Sequence, residues 1–247
     1  MTASVAVITG AGQGLGEAIA RGLHAAGYCV CLADINVQAA QAVAKDLDVS
    51  GDTALGMATD VRQQADFEAV RDVLIAKWGR IDVLVNNAAL TKVQAVLDIT
   101  SDDFDAVMAV NVRGTFIGSQ VFARYFKDRG YGRIINMASL AGQNGGSATG
   151  AHYAASKGAI LTLTKVFARD LAPFGITVNA IAPGPLDIPS VRELIGEDEF
   201  ESVAKTIPVG AFGEAGFVAD MVVQLARPEA SFVTGATWDV NGGLYVR

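Results

Sequence analysis

Seven short apolar runs rich in β-branched residues recur along this chain, separated by stretches long enough for helices, and this alternation restricts the fold more than any other feature. The runs lie at 5–8, 28–33, 54–58, 81–85, 133–137, 175–181 and 237–240, with amphipathic stretches at 15–26, 37–47, 63–78, 102–127, 152–171 and 217–226. Strand and helix in alternation imply βαβ units, and strands apolar on both sides imply a sheet covered on both faces. The fold class is therefore α/β: a doubly wound, Rossmann-like parallel sheet of about seven strands with helices on both faces. No linker or repeat divides residues 1–247, so a single domain is expected. The rhythm breaks at 185–208, where Pro185, Pro189 and Pro208 surround an acidic amphipathic stretch at 191–205. An irregular insertion after a strand of such a sheet predicts a substrate-binding lid.

Composition removes several classes of function. The longest stretch without a formal charge, 134–156, is interrupted by asparagine, serine, glycine and glutamine, so no membrane partner is expected. The first residues lack the basic n-region of a signal peptide, and a cytoplasmic location follows. Lys and Arg number 19 against 26 Asp and Glu, a net charge of −7 with no basic cluster, which argues against nucleic acid. Cys29 and Cys31 are two apart in a strand, where disulfide geometry is out of reach, and read as reduced core residues. His24 and His152 have no carboxylate at metal-ligand spacing, and no metal is expected.

The first strand runs into a glycine-rich turn, Thr9-Gly10-Ala11-Gly12-Gln13-Gly14-Leu15-Gly16, and then a helix. Glycines there let the backbone approach a pyrophosphate, and the helix N-terminus offers free N–H groups and partial positive charge. The spacing alone also fits a tight strand-to-helix turn. Asp34, which closes the second strand 18 residues after Gly16, favours a dinucleotide: its carboxylate can accept from ribose hydroxyls and repels a 2′-phosphate. Ile35 and Asn36 follow it with no basic neighbour, so NAD is the expected cofactor rather than NADP. Asp60-Val61 after the third strand and Asn86-Asn87-Ala88-Ala89 after the fourth occupy carboxyl ends, where ligands sit, with Asp60 suited to an adenine amino group.

Tyr153 and Lys157 are four apart on one helix, so the ammonium can lower a phenol pKa that begins at about 10. This pair can perform acid–base chemistry without histidine. By itself it also fits a solvated surface pair, but Ser139, ending the fifth strand, precedes Tyr153 by 14 residues of small-residue loop.

Taken in order, Thr9-Gly10-x-x-x-Gly14-x-Gly16, Asp60, Asn86-Asn87-Ala88, Asn111, Ser139, Tyr153-x-x-x-Lys157, Asn179, Pro183-Gly184 and Asn241-Gly242-Gly243 resemble the short-chain dehydrogenase/reductase family over essentially the whole chain. The resemblance implies that Tyr153 exchanges a proton with the substrate oxygen while Ser139 holds that oxygen. It implies that Lys157 binds the nicotinamide ribose and depresses the Tyr153 pKa, and that Asn111 holds a water of the proton relay; a buried Asn bonded to backbone is the other reading of Asn111, and the two are compatible. Gly10, Gln13, Gly14, Leu15 and Gly16 would meet the pyrophosphate side, Asp34, Ile35, Asp60 and Val61 the adenosine. Asn87, Ala88, Ala89, Pro183, Gly184, Leu186 and Ile188 would border the nicotinamide half.

Three departures stand out: Ala89 replaces a common glycine, Ile188 replaces a common threonine whose hydroxyl bonds the carboxamide, and 210–217 lacks the usual arginine and paired acids. The expected pocket, with Gln143, Asn144 and Pro185 beside Ser139 and Tyr153, is mostly neutral. The acidic chain, with Phe174 where an arginine is often found, repels an acidic carrier protein. A neutral secondary alcohol and its ketone are thus the expected substrates, with a 3-oxoacyl thioester or a polyol or sugar as alternatives. An epimerase of a related branch would need a longer chain, and a non-enzymatic NAD sensor would not need Ser139, Tyr153 and Lys157 together. The resemblance also implies a homotetramer through the two long helices.

Overall fold

The computed structural model describes residues 3–146 and 149–246; Met1, Thr2, Ser147, Ala148 and Arg247 of the expected 1–247 unit lie outside them. Seven strands, β1 Val5–Thr9, β2 Cys29–Asp34, β3 Ala54–Ala58, β4 Val83–Asn86, β5 Gly132–Met137, β6 Ile176–Pro183 and β7 Thr237–Val240, form one sheet in the order β3-β2-β1-β4-β5-β6-β7. Every pairing is parallel. The strand order reverses between β1 and β4, which opens a crevice at their carboxyl ends.

Around the sheet lie α1 Gly14–Ala25, α2 Val37–Leu47, α3 Gln64–Trp78, α4 Ser101–Met108, α5 Gly114–Arg129, α6 Ala141–Asn144, α7 Ala151–Leu171, α8 Pro189–Ile195, α9 Glu197–Ala204 and α10 Ala215–Ala226. Because strand side chains alternate between faces, Ala6, Ile8, Val30 and Leu32 enter one core with α1, α2 and α10. Val5, Val7, Cys29 and Cys31 enter the other with Phe67 of α3 and Phe122 and Phe126 of α5. Each large side chain so buried contributes about 1.5–3 kcal/mol. Both cysteines are free and buried, and burial pushes the Cys31 thiol up to about 12.

A polar ladder crosses the second core. Asn86 Nδ2 donates to Ser119 Oγ at 3.0 Å and to Asn136 Oδ1 at 2.8 Å, and Asn136 Nδ2 donates to Thr164 Oγ1 at 2.9 Å. These buried bonds fix α5 and α7 against β4 and β5, since misplacing either helix would strand polar groups away from water.

The expected helix over 102–127 is in fact broken. A π-helical turn, Ala109–Arg113, separates α4 from α5. There Asn111, fully buried, accepts from Leu90 N at 2.7 Å and donates to Leu90 O at 3.1 Å and Ser156 Oγ at 2.9 Å, a demand on position that regular helix spacing had not anticipated. Thr100 caps α4 by accepting from Asp103 N at 3.1 Å, as the acid-rich helix start suggested. The acidic stretch at 191–205 is two helices rather than one, because Gly196, at φ 84°, turns the chain between α8 and α9. Among the described residues, no helix is long and apolar enough to cross a membrane, and no group of His, Cys, Asp or Glu could hold a metal ion.

Candidate active site

Gly10 follows β1, Asp34 ends β2, Asn86 ends β4, and Ser139 and Gly184 follow β5 and β6, so the expected residues meet along the carboxyl edge of the sheet. The turn after β1 is shaped by close approach. Gly10 has φ 64°, and a methyl group there would lie 2.8 Å from Ala88 Cα. At Gly16 a methyl group would lie 2.1 Å from the Gly10 carbonyl oxygen and 2.6 Å from Asn87 Nδ2. The same Asn87 Nδ2 donates to Thr9 O at 2.9 Å and Gly10 O at 3.0 Å, while Thr9 Oγ1 accepts from the N–H groups of Asn87 and Ala88 at 3.0 Å. Asn87 thus acts first as a strut that ties the turn to β4. Side chains of Asn36 and Thr100 cap α2 and α4, but no side chain caps α1 behind the exposed Gln13. Uncapped N–H groups at the positive end of a helix dipole, beside glycines with no room for side chains, fit a pyrophosphate. Leu15, in the first turn of α1, packs partly into the core.

Asp34 accepts from Gly12 N on one oxygen and from Asn36 N on the other, each at 2.8 Å. It braces the glycine turn and still keeps lone pairs for ribose hydroxyls, and Ile35 beside it is 70% exposed. Asp60 is already engaged. Arg62 grips its carboxylate at 2.7 to 3.0 Å, and that hydrogen-bonded guanidinium draws the carboxyl below its ordinary range, so an adenine amino group would have to share it. Val61 is buried under Gly114, where a methyl group would lie 2.9 Å from its Cγ2; its side chain serves the core and leaves its backbone alone for a ligand.

Tyr153 stands in the first turn of α7, partly buried, with the hydroxyls of Ser139 and Thr91 close enough to act on its phenol. Ser139 Oγ also accepts from Ala141 N at 3.1 Å. One turn along the helix Lys157 is buried, donates from Nζ to Met137 O at 2.7 Å and lies 5.6 Å from the centre of the Tyr153 ring. The expected depression of the phenol by Lys157 is not what governs it here. Burial pushes the Tyr153 phenol up, the Ser139 and Thr91 hydroxyls draw it down to a lesser degree, and Lys157 Nζ is engaged by the Met137 carbonyl. Asn111 reaches the same place indirectly: its partner Ser156 donates to Tyr153 O at 2.7 Å. Its side-chain bonds run to Leu90 and Ser156.

Burial lowers the Lys157 ammonium from its ordinary 10.5 to about 8. Below pH 8 both folded and unfolded chains carry the proton, and the burial penalty is present in full. Between about 8 and 10.5 the unfolded chain binds more proton, so stability rises with pH, by about 3 kcal/mol in all. Relative to a Lys157→Met variant, the parent is expected to gain that amount across this window in urea unfolding. Parallel stability curves for the two proteins would show that Lys157 titrates as an ordinary surface lysine.

The pocket residues behave less uniformly. Gln143 Nε2 donates to Asp239 Oδ1 of β7 at 2.6 Å, while its Oε1 is buried with no hydrogen-bond partner among the described residues. Asn144 is exposed and accepts from Gly146 N at 2.9 Å, and Pro185 O accepts from Gly213 N at 3.0 Å. Pro183 ends β6, and a methyl group on Gly184 would lie 2.9 Å from Asn241 Cα. Leu186 is buried, Ile188 packs partly against the same core, and Ala89 is exposed at the crevice. Thr91, one of the groups that draw the Tyr153 phenol down, was not among the expected residues, although a hydroxyl two positions past Ala89, in the loop after β4, was a signal that could have found it.

Comparison with known proteins adds a separate line. The family described as enoyl-(acyl carrier protein) reductase matches residues 10–245. The chain is 39% identical to the short-chain reductase protein NovJ of Streptomyces niveus, over 97% of this chain and 93% of that protein. It is 37% identical to a sorbitol dehydrogenase of Cereibacter sphaeroides, over 98% of this chain and 97% of the other. The crystal structure of 3-ketoacyl-(acyl-carrier-protein) reductase from Brucella melitensis complexed with NADH matches with a TM-score of 0.89 and 33% identity, covering 98% of each chain.

Proposed function

Since the chain belongs to the short-chain dehydrogenase/reductase family of oxidoreductases, we propose that it transfers a hydride between NAD(H) and a neutral secondary alcohol or its ketone. The observation that carries this reading is Tyr153, close to Ser139 and one helical turn from buried Lys157, at the edge of the sheet that also holds the glycine turn and Asp34. Bound NAD supplies the acceptor for the hydride. In the oxidising direction the Tyr153 phenolate takes the hydroxyl proton, Ser139 donates to the same substrate oxygen, and the carbinol C–H pair leaves as hydride while the C=O bond forms. In reduction Tyr153 returns its proton to the alkoxide oxygen. Lys157 would hold the nicotinamide ribose and pass the proton on towards solvent, with Asn111 keeping α4, α5 and α7 together around it. The glycine turn and α1 would hold the pyrophosphate, and Asp34 the adenosine ribose.

Segment 185–208 suits a lid. Arg192 forks onto Asp187 at 2.6 and 2.8 Å and lies 4.2 Å from the centre of the Phe200 ring, which stacks on Phe212 at 3.9 Å. α8 and α9 are thereby fastened to the loop that carries Leu186 and Ile188. Phe116 of α5 and Phe167 of α7 meet edge to face at 5.8 Å, with Phe116 40% exposed, which supports burial of these helices between copies in a homotetramer. The reduced, buried state of Cys29 and Cys31 supports a cytoplasmic location.

The test is NADH absorbance with secondary alcohols, polyols and either NAD or NADP, and with ketones and a 3-oxoacyl thioester in reverse. NAD-linked turnover of a neutral alcohol is expected. Faster turnover of the thioester or of a polyol would move the assignment towards those substrates, and NAD binding without turnover of any of them would favour the sensor. Asp34→Asn is expected to narrow the kcat/KM preference for NAD over NADP by roughly tenfold to a hundredfold, the worth of a charge-assisted hydrogen bond. An unchanged ratio would place recognition of the 2′-hydroxyl elsewhere.

A further inference from the structure

Three ties seat the loop after β4 on the start of α7, where Tyr153 stands. Asn111 holds Leu90 N and Leu90 O, at 2.7 and 3.1 Å, and donates to Ser156 Oγ of α7 at 2.9 Å. Gly150 N donates to Lys92 O at 3.1 Å, and the fully buried His152 meets Gln94 Oε1 from Nε2 at 3.2 Å. His152 Nδ1 accepts from Tyr153 N at 3.0 Å, an N–H shared with Gly150 O at 3.0 Å, which assigns the ring proton to Nε2 and makes that nitrogen the donor to Gln94. A methyl group at Gly150 would lie 2.3 Å from His152 Cε1, so the sequence leaves space for the ring there. Gln94 in turn donates from Nε2 to Asp103 Oδ2 at 3.0 Å. Asp103, in the first turn of α4, also accepts from Thr100 Oγ1 at 2.8 Å and takes the Lys92 ammonium on its other oxygen. Lys92, then Gln94 and Thr100, hold its carboxyl well below the usual carboxylate range, so it stays a charged acceptor.

The hydrogen bonds therefore all point one way, from Tyr153 N through His152 and Gln94 to Asp103. Flipping the ring or the amide would set N–H against N–H and strand a buried donor, so the loop has one seating on α7. That seating matters because no side chain caps α7 at Gly150. The first turn of a helix has no internal partners for its N–H groups, and here its position is fixed from outside by the loop. Tyr153 stands in that turn, and a displacement of a reacting group by about 1 Å can cost about a hundredfold in rate.

We infer that His152 and Gln94 are positioning residues for the proton transfer at Tyr153: with Asp103 they latch the loop after β4 to the uncapped start of α7 and so hold the phenol in place. The inference rests on the dehydrogenase reading of Tyr153. Its test is kcat and KM, with the best alcohol of the substrate panel, for the parent, Gln94→Leu, His152→Asn, Tyr153→Phe and the Gln94→Leu/Tyr153→Phe double variant. NAD binding is followed by thermal shift. Gln94→Leu is expected to lower kcat about tenfold, with KM within about twofold of the parent's and the NAD-induced shift unchanged. His152→Asn can place Oδ1 where Nδ1 stood but does not reach Gln94, and is expected to fall with Gln94→Leu. In the Tyr153→Phe background the same Gln94→Leu change is expected to alter the residual rate by less than about twofold, because the group it positions is gone. A Gln94→Leu enzyme with the parent's kcat would overturn the inference, as would a His152→Asn enzyme with the parent's kcat. So would a Gln94→Leu loss that persists in full beside Tyr153→Phe, or that appears in KM or in NAD binding, since the latch would then support the fold at large and not the phenol. Retained activity in Tyr153→Phe would instead bring down the reading of Tyr153 on which the inference stands, a result distinct from failure at Gln94.

Discussion

Tyr153→Phe is expected to lower kcat by about a hundredfold to ten-thousandfold, the usual contribution of a positioned general acid or base, while NAD still raises the melting temperature as in the parent. The ring is kept, so the packing of α7 changes little. The hydroxyl is lost, and with it the group beside Ser139 that can both take and give a proton. Ser139 can still polarise a carbonyl, but its alkoxide is far too basic to replace a phenolate at neutral pH. Steady-state rates with the best alcohol from the substrate panel, beside a thermal-shift titration with NAD, separate chemistry from binding. Activity within tenfold of the parent would mean that another residue carries the proton.

The second large effect is expected at Gly16. A methyl group at that position would sit 2.1 Å from the Gly10 carbonyl oxygen and 2.6 Å from Asn87 Nδ2. Both neighbours are fixed, the first by the backbone of the turn and the second by its bonds to Thr9 O and Gly10 O. Neither can yield without moving the turn away from β4. Gly16→Ala should therefore cost about 1–3 kcal/mol of stability, as overpacking does elsewhere, and should abolish the NAD-induced thermal shift. Gly14→Ala is the comparison: no atom lies within 4 Å of a methyl group there, and its φ of 57° alone opposes the change, by about 1–2 kcal/mol. Urea unfolding and NAD titration of the two variants check the contrast. If Gly16→Ala binds NAD as the parent does, the close packing of this turn is not what admits the pyrophosphate.

Where a reading depended on local rules, the structure repeats it. Strand bounds agree within a few residues because alternation and β-branched content act within the strand itself. The glycine turn lies between β1 and α1, and Tyr153 and Lys157 share one helix face, because turn chemistry and helical spacing are properties of neighbouring residues. Readings that depended on partners distant in sequence fared unevenly. Asp34 is where it was expected but also braces Gly12, 22 residues away. Gln143 turns its amide to Asp239 instead of lying free at the pocket.

The amino-acid order alone determined the layers of the fold, the turn at the head of α1 and the family to which the chain belongs. Tertiary structure decided the break at 109–113 and the direction of each buried polar group. The physical reason is range. Periodicity and turn propensity act over a few residues, and are legible in any window of the sequence. A buried hydrogen bond such as that between Asn111 and Leu90 joins residues 21 apart, and which partner a side chain takes is set only when the packed helices and strands leave it one within reach.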